Sequence, residues 1–165
     1  MTEIAFEAWL TLFADHEVRF IVVGGFAGVL HGAGRPTLDL DVVPAWTQSN
    51  LERLVTALRA VNAASRSGPP TTGASITVAL LVEREITNWN TDIGPIDVLV
   101  GIPNGEGLPV TFDALRENAE TIVAFDRAIT VASLDDIIAS KEYANRRKDA
   151  EALPELRRLR DAEHR

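Results

Sequence analysis

The chain predicts an α/β (α+β) fold: a small mixed β-sheet of about four to six strands, helices packed mainly on one side, and a helical C-terminal part. Three observations carry this expectation. Short β-branched runs alternate with segments whose apolar residues recur at helical spacing, glycine and proline clusters separate the two kinds, and residues 133–165 read as helix almost throughout.

Taken in order, Phe6, Trp9, Leu10 and Phe13 mark an amphipathic helix over 4–16. Residues 19–23 read as a short buried strand ending at Gly24-Gly25, and 26–31 as a short helix broken by Gly32-Ala33-Gly34-Arg35-Pro36. A strand then carries Leu38-Asp39-Leu40-Asp41-Val42-Val43. Leu51, Leu54, Val55 and Leu58 place a helix over 49–61, followed by the Ser/Gly/Pro-rich stretch 65–73, which reads as a mobile loop. Residues 76–82 and 96–100 are β-branched and apolar and read as strands, and 121–125 with 128–131 as a hairpin around Asp126-Arg127. Ser133 followed by Asp136 is an N-cap signature opening a long helix to about Lys148, and Pro154 restarts a final one.

With 165 residues of which 46% are hydrophobic, the chain fits one domain over 1–165, its helical part 133–165 completing the site. No apolar run approaches the ~20 residues of a membrane span, and the start from Met1 to Glu7 lacks the order of a leader peptide, so a cytoplasmic protein with no membrane partner is expected. The absence of cysteine excludes a disulfide framework, a thiolate zinc site and a cysteine nucleophile; three scattered histidines disfavour a histidine metal cluster. A formal charge of −8 argues against broad non-specific nucleic-acid binding. That charge is unevenly spread, because residues 141–165 hold eight of the 16 basic groups but only six of the 24 acidic ones.

Asp39 and Asp41 carry most of the chemical information. In a strand alternate side chains share a face, so two carboxylates separated by one apolar residue point to one place. At about 5 Å and an effective dielectric of about 20 they repel by roughly 3 kcal/mol, which a bridging cation relieves. The preceding Gly24-Gly25 turn lets backbone approach a phosphate closely, and a third carboxylate, Asp97, sits in another apolar strand. Three converging oxygen donors suit hard cations such as Mg²⁺, and a pair of such ions about 3.5–4 Å apart serves in-line phosphoryl displacement. Each part alone is weak, since a Gly-Gly turn is ordinarily only a turn. Competing phosphate motifs fail: Phe26 occupies the second glycine of a dinucleotide fingerprint, and no Gly-Lys-Ser/Thr is present for a P-loop. Lys141 falls on the inward stripe of the helix opening at Ser133, together with Asp149, and reaches either the surface or a phosphate.

Gly24, Gly25, Asp39, Asp41 and Asp97 together resemble the hallmark of the polymerase-β-type nucleotidyltransferase superfamily. More narrowly, Val22 to Gly32 with Arg35-Pro36-Thr37-x-Asp39-x-Asp41 is similar to the AbiE/MenT-like toxin nucleotidyltransferases of toxin-antitoxin systems, as is Ser133 to Lys141 followed by Arg147-Lys148-Asp149. The resemblance implies a metal-dependent enzyme that transfers NMP from an NTP such as ATP to an acceptor hydroxyl, releasing pyrophosphate. It implies Asp39, Asp41 and Asp97 as ligands of two Mg²⁺ ions, with Mn²⁺ as a substitute, and Asp97 also as the group that helps deprotonate the acceptor. Gly24, Gly25, Arg35, Thr37, Lys141 and Asp149 become the nucleotide and phosphate contacts. The implied acceptor is the tRNA 3′ end and the implied partner an antitoxin protein. Gly25 departs from the serine common at its position, and the acidic N-terminal bulk fits a broad RNA footprint poorly. A small acceptor of aminoglycoside type, a protein acceptor, and a non-catalytic nucleotide-binding or partner-binding module of the same fold stand as alternatives.

Overall fold

The computed structural model describes residues 3–165; Met1 and Thr2, the first residues of the segment read for a leader, lie outside them. Helix α1 (Glu3–Asp15) places Phe6, Trp9, Leu10 and Phe13 in the core, as their spacing requires. Strand β1 (Phe20–Val23) runs directly into α2 (Gly24–Leu30), whose Phe26 ring stacks on Phe6 at 3.6 Å between centroids. Strand β2 (Leu40–Pro44) and α3 (Gln48–Ala60) follow, α3 opening on Thr47, whose hydroxyl accepts the Asn50 N–H.

The loop expected at 65–73 is present and carries its own hydrogen bonds. It leaves β3 (Ala64–Ser65), the Ser65 hydroxyl donates to Pro69 O and accepts the Thr71 N–H, and Ala64 bridges back to Thr72. The strand expected over 76–82 is helix α4 (Val78–Glu83). Thr77 explains the difference, since its hydroxyl accepts the Leu80 N–H and starts a helical turn that leaves Leu81 buried and Val82 in solvent.

Strands β4 (Ile86–Asn90) and β5 (Ile96–Leu99) are followed by a small hairpin, β6 (Gly101–Pro103) and β7 (Pro109–Thr111), then α5 (Phe112–Asn118). Strands β8 (Glu120–Ala124) and β9 (Arg127–Val131) form the expected hairpin, turning on Phe125 and Asp126, both at positive φ. Helix α6 (Leu134–Ala144) is capped by Ser133 as expected, but ends early on Asn145 in the left-handed conformation. Helix α7 (Arg147–Glu163) contains Pro154 rather than restarting at it. The long helix to Lys148 is therefore two helices packed on each other, and a side chain near its expected end faces back across the turn.

The main sheet has the order β3-β4-β5-β2-β1-β9-β8 and mixes senses: β1 runs antiparallel to β2 but parallel to β9, and β2 runs parallel to β5. At seven strands among the described residues it is larger than the sequence expectation. Strand β4 supplies much of the difference, its Thr87 and Trp89 buried while two asparagines obscure the pattern. Helices pack on one side of this mixed sheet, and the C-terminal pair α6–α7 closes over the end where β1 meets α2. No helix among the described residues is long and apolar enough to cross a membrane.

Candidate active site

Pairing brings the acidic residues together. Asp41 on β2 stands opposite Val23 on one neighbour and opposite Asp97 on the other, because β2 and β5 run parallel with Leu40 against Ile96 and Val42 against Val98. Asp39 lies one residue before β2 rather than within it, and Leu38, expected on a buried face, is exposed. Regular pairing to β5 begins only at Leu40, so the chain ahead of it is free to turn outward. The two ends of the acidic group are tied by a residue the sequence did not single out: the Arg66 guanidinium donates to Asp97 Oδ1 and lies 3.7 Å from Asp39 Oδ1. Asn88, opposite Asp97 on β4, donates from Nδ2 to the same oxygen at 2.8 Å.

Burial and the Asp97 carboxylate, followed by Asp39, push the Asp41 carboxyl up to about 8, with Lys148 opposing the rise. Asp41 is thus held close to neighbours of like charge that the protein's own cations do not fully neutralise. An all-oxygen set of three carboxylates fits a hard divalent cation, which would favour the ionised form that the apo environment resists.

Gly24 and Gly25 wall this site by necessity. Gly24 has φ +69°, and a Cβ there would run into the Asp41 carboxylate; a Cβ on Gly25 would come within 2.8 Å of the Thr37 hydroxyl. Thr37 donates its hydroxyl to Asp39 O at 3.3 Å, so its side chain braces the segment that presents Asp39. Arg35 reaches Glu151 at 3.3 Å and is half exposed at the rim.

The cations stand on the C-terminal helices. Lys141 on α6 lies 3.5 Å from Asp149 on α7, across the inter-helix turn rather than along one helix. Asp149 is fully buried and does two jobs. Its Oδ2 accepts the Arg146 backbone N–H at 3.2 Å, capping α7, and it takes a forked bond from the Arg146 guanidinium at 2.7 and 3.2 Å. Burial alone would raise its pKa, but these Arg146 bonds and the Lys141 charge hold it below the ordinary carboxylate range. Lys148 and Arg146 line the same cleft as Gly24, Asp39, Asp41 and Lys141. Lys148 was visible in the sequence on the inward stripe with Lys141 and Asp149 and within Arg147-Lys148-Asp149, but was given no site role. Arg66 and Asn88 left no local signal, being 31 and 9 residues from the carboxylate they meet.

The cleft has two arms that share this acidic and basic centre. One, of about 180 Å³, runs along Gly25, Arg35 and Thr37 to Leu156; the other, of about 490 Å³, runs between β4–β5 and α6, lined by Ile86, Asn88, Asp97, Leu99, Ile102 and Ser140. Three metal-capable side chains whose donor atoms all lie within 4.8 Å of one another, those of His31, Glu120 and Glu163, lie elsewhere.

No protein-family model matches the chain, and no curated protein matches it by sequence. Solved structures do. The lincosamide antibiotic adenylyltransferase LnuA, with lincomycin bound, superposes with a TM-score of 0.67 at 16% identity over 96% of this chain and 98% of that one. The antibiotic-resistance factor ANT(2'')-Ia, in solution, gives a TM-score of 0.60 at 13% identity over 98% and 90%. At such identities the likeness establishes architecture and nothing finer: the chain has the nucleotidyltransferase fold.

Proposed function

We propose that the chain transfers a nucleoside monophosphate from an NTP to the hydroxyl of a small polar molecule. The observation that carries this reading is the register of β2 on β5, which sets Asp41 beside Asp97, with Asp39 tied to the pair through Arg66 and the cations of α6 and α7 on the opposite wall. Asp39, Asp41 and Asp97 would hold divalent ions, Mg²⁺ or Mn²⁺, which when bound neutralise charge developing on the transferred phosphoryl group. Gly24 and Gly25 offer backbone at close range to phosphate, with Thr37 and Arg35 at the rim. Lys141 and Lys148 balance the triphosphate, and Asp149 holds Lys141 in place. In the transfer the acceptor oxygen bonds to the α-phosphorus as the bond from that phosphorus to the β-bridging oxygen breaks. Pyrophosphate leaves with that electron pair, and the acceptor proton passes to the Asp97 carboxylate.

The acceptor class rests on two supports. The larger arm, of about 490 Å³, matches the size of small-ligand sites, and its mixture of Ile86, Leu99 and Ile102 with Asn88 and Asp97 suits a molecule with an apolar body and hydroxyls. LnuA and ANT(2'')-Ia are, by name, an antibiotic adenylyltransferase and an antibiotic-resistance factor, which also favours ATP as donor. A second reading, tRNA 3′-end modification by a toxin held by an antitoxin, rests on the motif resemblance and on Arg146 and Arg147, exposed at the start of α7.

The test is transfer of α-labelled ATP to a panel of lincosamides, aminoglycosides and total RNA, by the native chain and by Asp41→Asn. Label should move to a small acceptor, and the variant should lose about 10³-fold or more of the rate. Label on RNA alone selects the second reading, and equal labelling by both proteins removes both.

A further inference from the structure

We infer that His31, Glu120 and Glu163 form a second metal site, for a borderline divalent ion of the Zn²⁺ type, that clips the end of the C-terminal helix to the body of the protein. The three residues come from distant parts of the chain: His31 caps the C-terminus of α2, Glu120 opens β8, and Glu163 closes α7. Their donor atoms all lie within 4.8 Å of one another.

The histidine makes this more than a pair of surface acids. Its side chain is 1% exposed, and Nε2 lies 2.8 Å from the carbonyl of Ala132. A carbonyl only accepts, so Nε2 carries the ring proton, and in the neutral imidazole Nδ1 is a lone pair. Nδ1 has no hydrogen bond among the described residues. It faces the Glu120 and Glu163 carboxylates at 3.8 and 3.6 Å. A lone pair aimed at two acceptors is unfavourable; a proton on Nδ1 or a metal ion there relieves it, and uptake of metal by the native chain tells the two apart. A ring whose other nitrogen is anchored to a backbone carbonyl is also the usual arrangement of a metal-binding histidine.

The spacing is suitable. Tetrahedral ligands bonded at about 2.0–2.1 Å stand about 3.3–3.4 Å apart, so each carboxylate need close on Nδ1 by only a few tenths of an ångström, and both, more than two-fifths exposed, are free to close on each other from within 4.8 Å. One nitrogen with two carboxylate oxygens suits Zn²⁺ better than Mg²⁺, which separates this site chemically from the all-oxygen group at Asp39, Asp41 and Asp97. It is separated in space as well. Gly24, against Asp41, and His31 stand at opposite ends of α2, roughly 10 Å apart by helical rise. An adjoining surface cleft, lined by Glu120, Glu163 and His164, gives the ion a way in. Ligation there fixes the far end of the helix whose near end presents Lys148 and Asp149, so the ion is a brace and not a participant in transfer.

The experiment is a Co²⁺ titration of the full chain in excess Mg²⁺, read by visible absorption, which is strong for four-coordinate Co²⁺ and weak for six-coordinate, followed by Zn²⁺ displacement and a melting curve. The native chain should take up one equivalent with strong absorption, release it to Zn²⁺, and melt at a higher temperature with Zn²⁺ present. Glu163→Gln, at an exposed helix end, should keep its circular dichroism and lose both signals, whereas Asp41→Asn should keep both. Absence of uptake by the native chain, unchanged uptake in Glu163→Gln, or loss of the signal in Asp41→Asn overturns the site. None of these results bears on nucleotide transfer, which the labelling assay judges separately.

Discussion

Asp41 shows what one side chain stores at such a site. Its carboxyl is raised to about 8 in the fold, from an ordinary value of 3.8, by burial and by Asp97 and Asp39. Between those two values the folded state binds more protons than the unfolded chain, so stability falls as pH rises. The metal-free protein should therefore melt highest near pH 4–5 and lose several degrees on the way to pH 8. In Asp41→Asn that fall should flatten and the melting temperature at pH 8 should exceed the native value, as differential scanning calorimetry in a chelating buffer would record. A native-like pH slope in the variant would place the strain elsewhere. On the proposed function the same substitution removes transfer, and the group that costs stability would then be one the chemistry needs. Arg66 softens the repulsion by lying across Asp39 and Asp97, and is the protein's own cation nearest the pair.

At the scale of elements, the turn between α6 and α7 organises the basic wall. Asn145, left-handed at φ 48°, ends α6 and reverses the chain; Asp149 then caps α7 and pairs with Lys141 on the helix just left. Removing a buried, multiply bonded carboxylate strands its partners, so Asp149→Ala should cost about 3–5 kcal/mol in urea unfolding. It should also weaken nucleotide binding by releasing Lys141. The folded carboxyl titrates below its unfolded value, so its stabilisation is complete above the ordinary Asp range and disappears as pH falls through the lower folded value. Acid destabilisation below about pH 4 is thus the mirror of the Asp41 effect, and Asp149→Ala, already lacking that stabilisation at neutral pH, should lose stability less steeply as pH falls through this range. Unchanged urea stability would reduce the residue to a surface cap. On the other wall, β2 and β5 need to be parallel neighbours for Asp41 to meet Asp97, which makes strand order part of the chemistry.

For the molecule as a whole, the formal charge of −8 is unevenly spread: residues 1–140 carry eight basic and 18 acidic groups, residues 141–165 eight basic and six acidic. Self-repulsion of the acidic excess is long-ranged and screened by salt. Raising NaCl from about 0.02 to 0.2 M, where the Debye length shrinks to about 10 Å or less, should increase the melting temperature of the metal-free protein at pH 8. A decrease would mean that attractive pairs such as Arg157–Glu142 and Arg160–Asp135 dominate instead.

Local chemistry along the chain determined a good deal by itself. Residue spacing was enough for α1 and α3 and the Ser133 hydroxyl for the start of α6, and the β8–β9 hairpin was legible with its turn one residue off, on Phe125-Asp126 rather than Asp126-Arg127, because each signal acts within a few residues. The glycine turn was legible because a glycine's freedom is a local property, whereas the strand's period of two holds for Asp41 alone, Asp39 lying ahead of β2. Residues 76–82 misled because an apolar β-branched run satisfies either period until a cap such as Thr77 decides it. Tertiary structure alone decided that Asp97 stands beside Asp41, that Arg66 bridges to Asp39, that Lys141 meets Asp149 across a turn, and that His31 faces two glutamates 89 and 132 residues further along the chain. Those contacts join residues 8 to 132 positions apart, and their free energy is realised only when the whole sheet and its covering helices assemble.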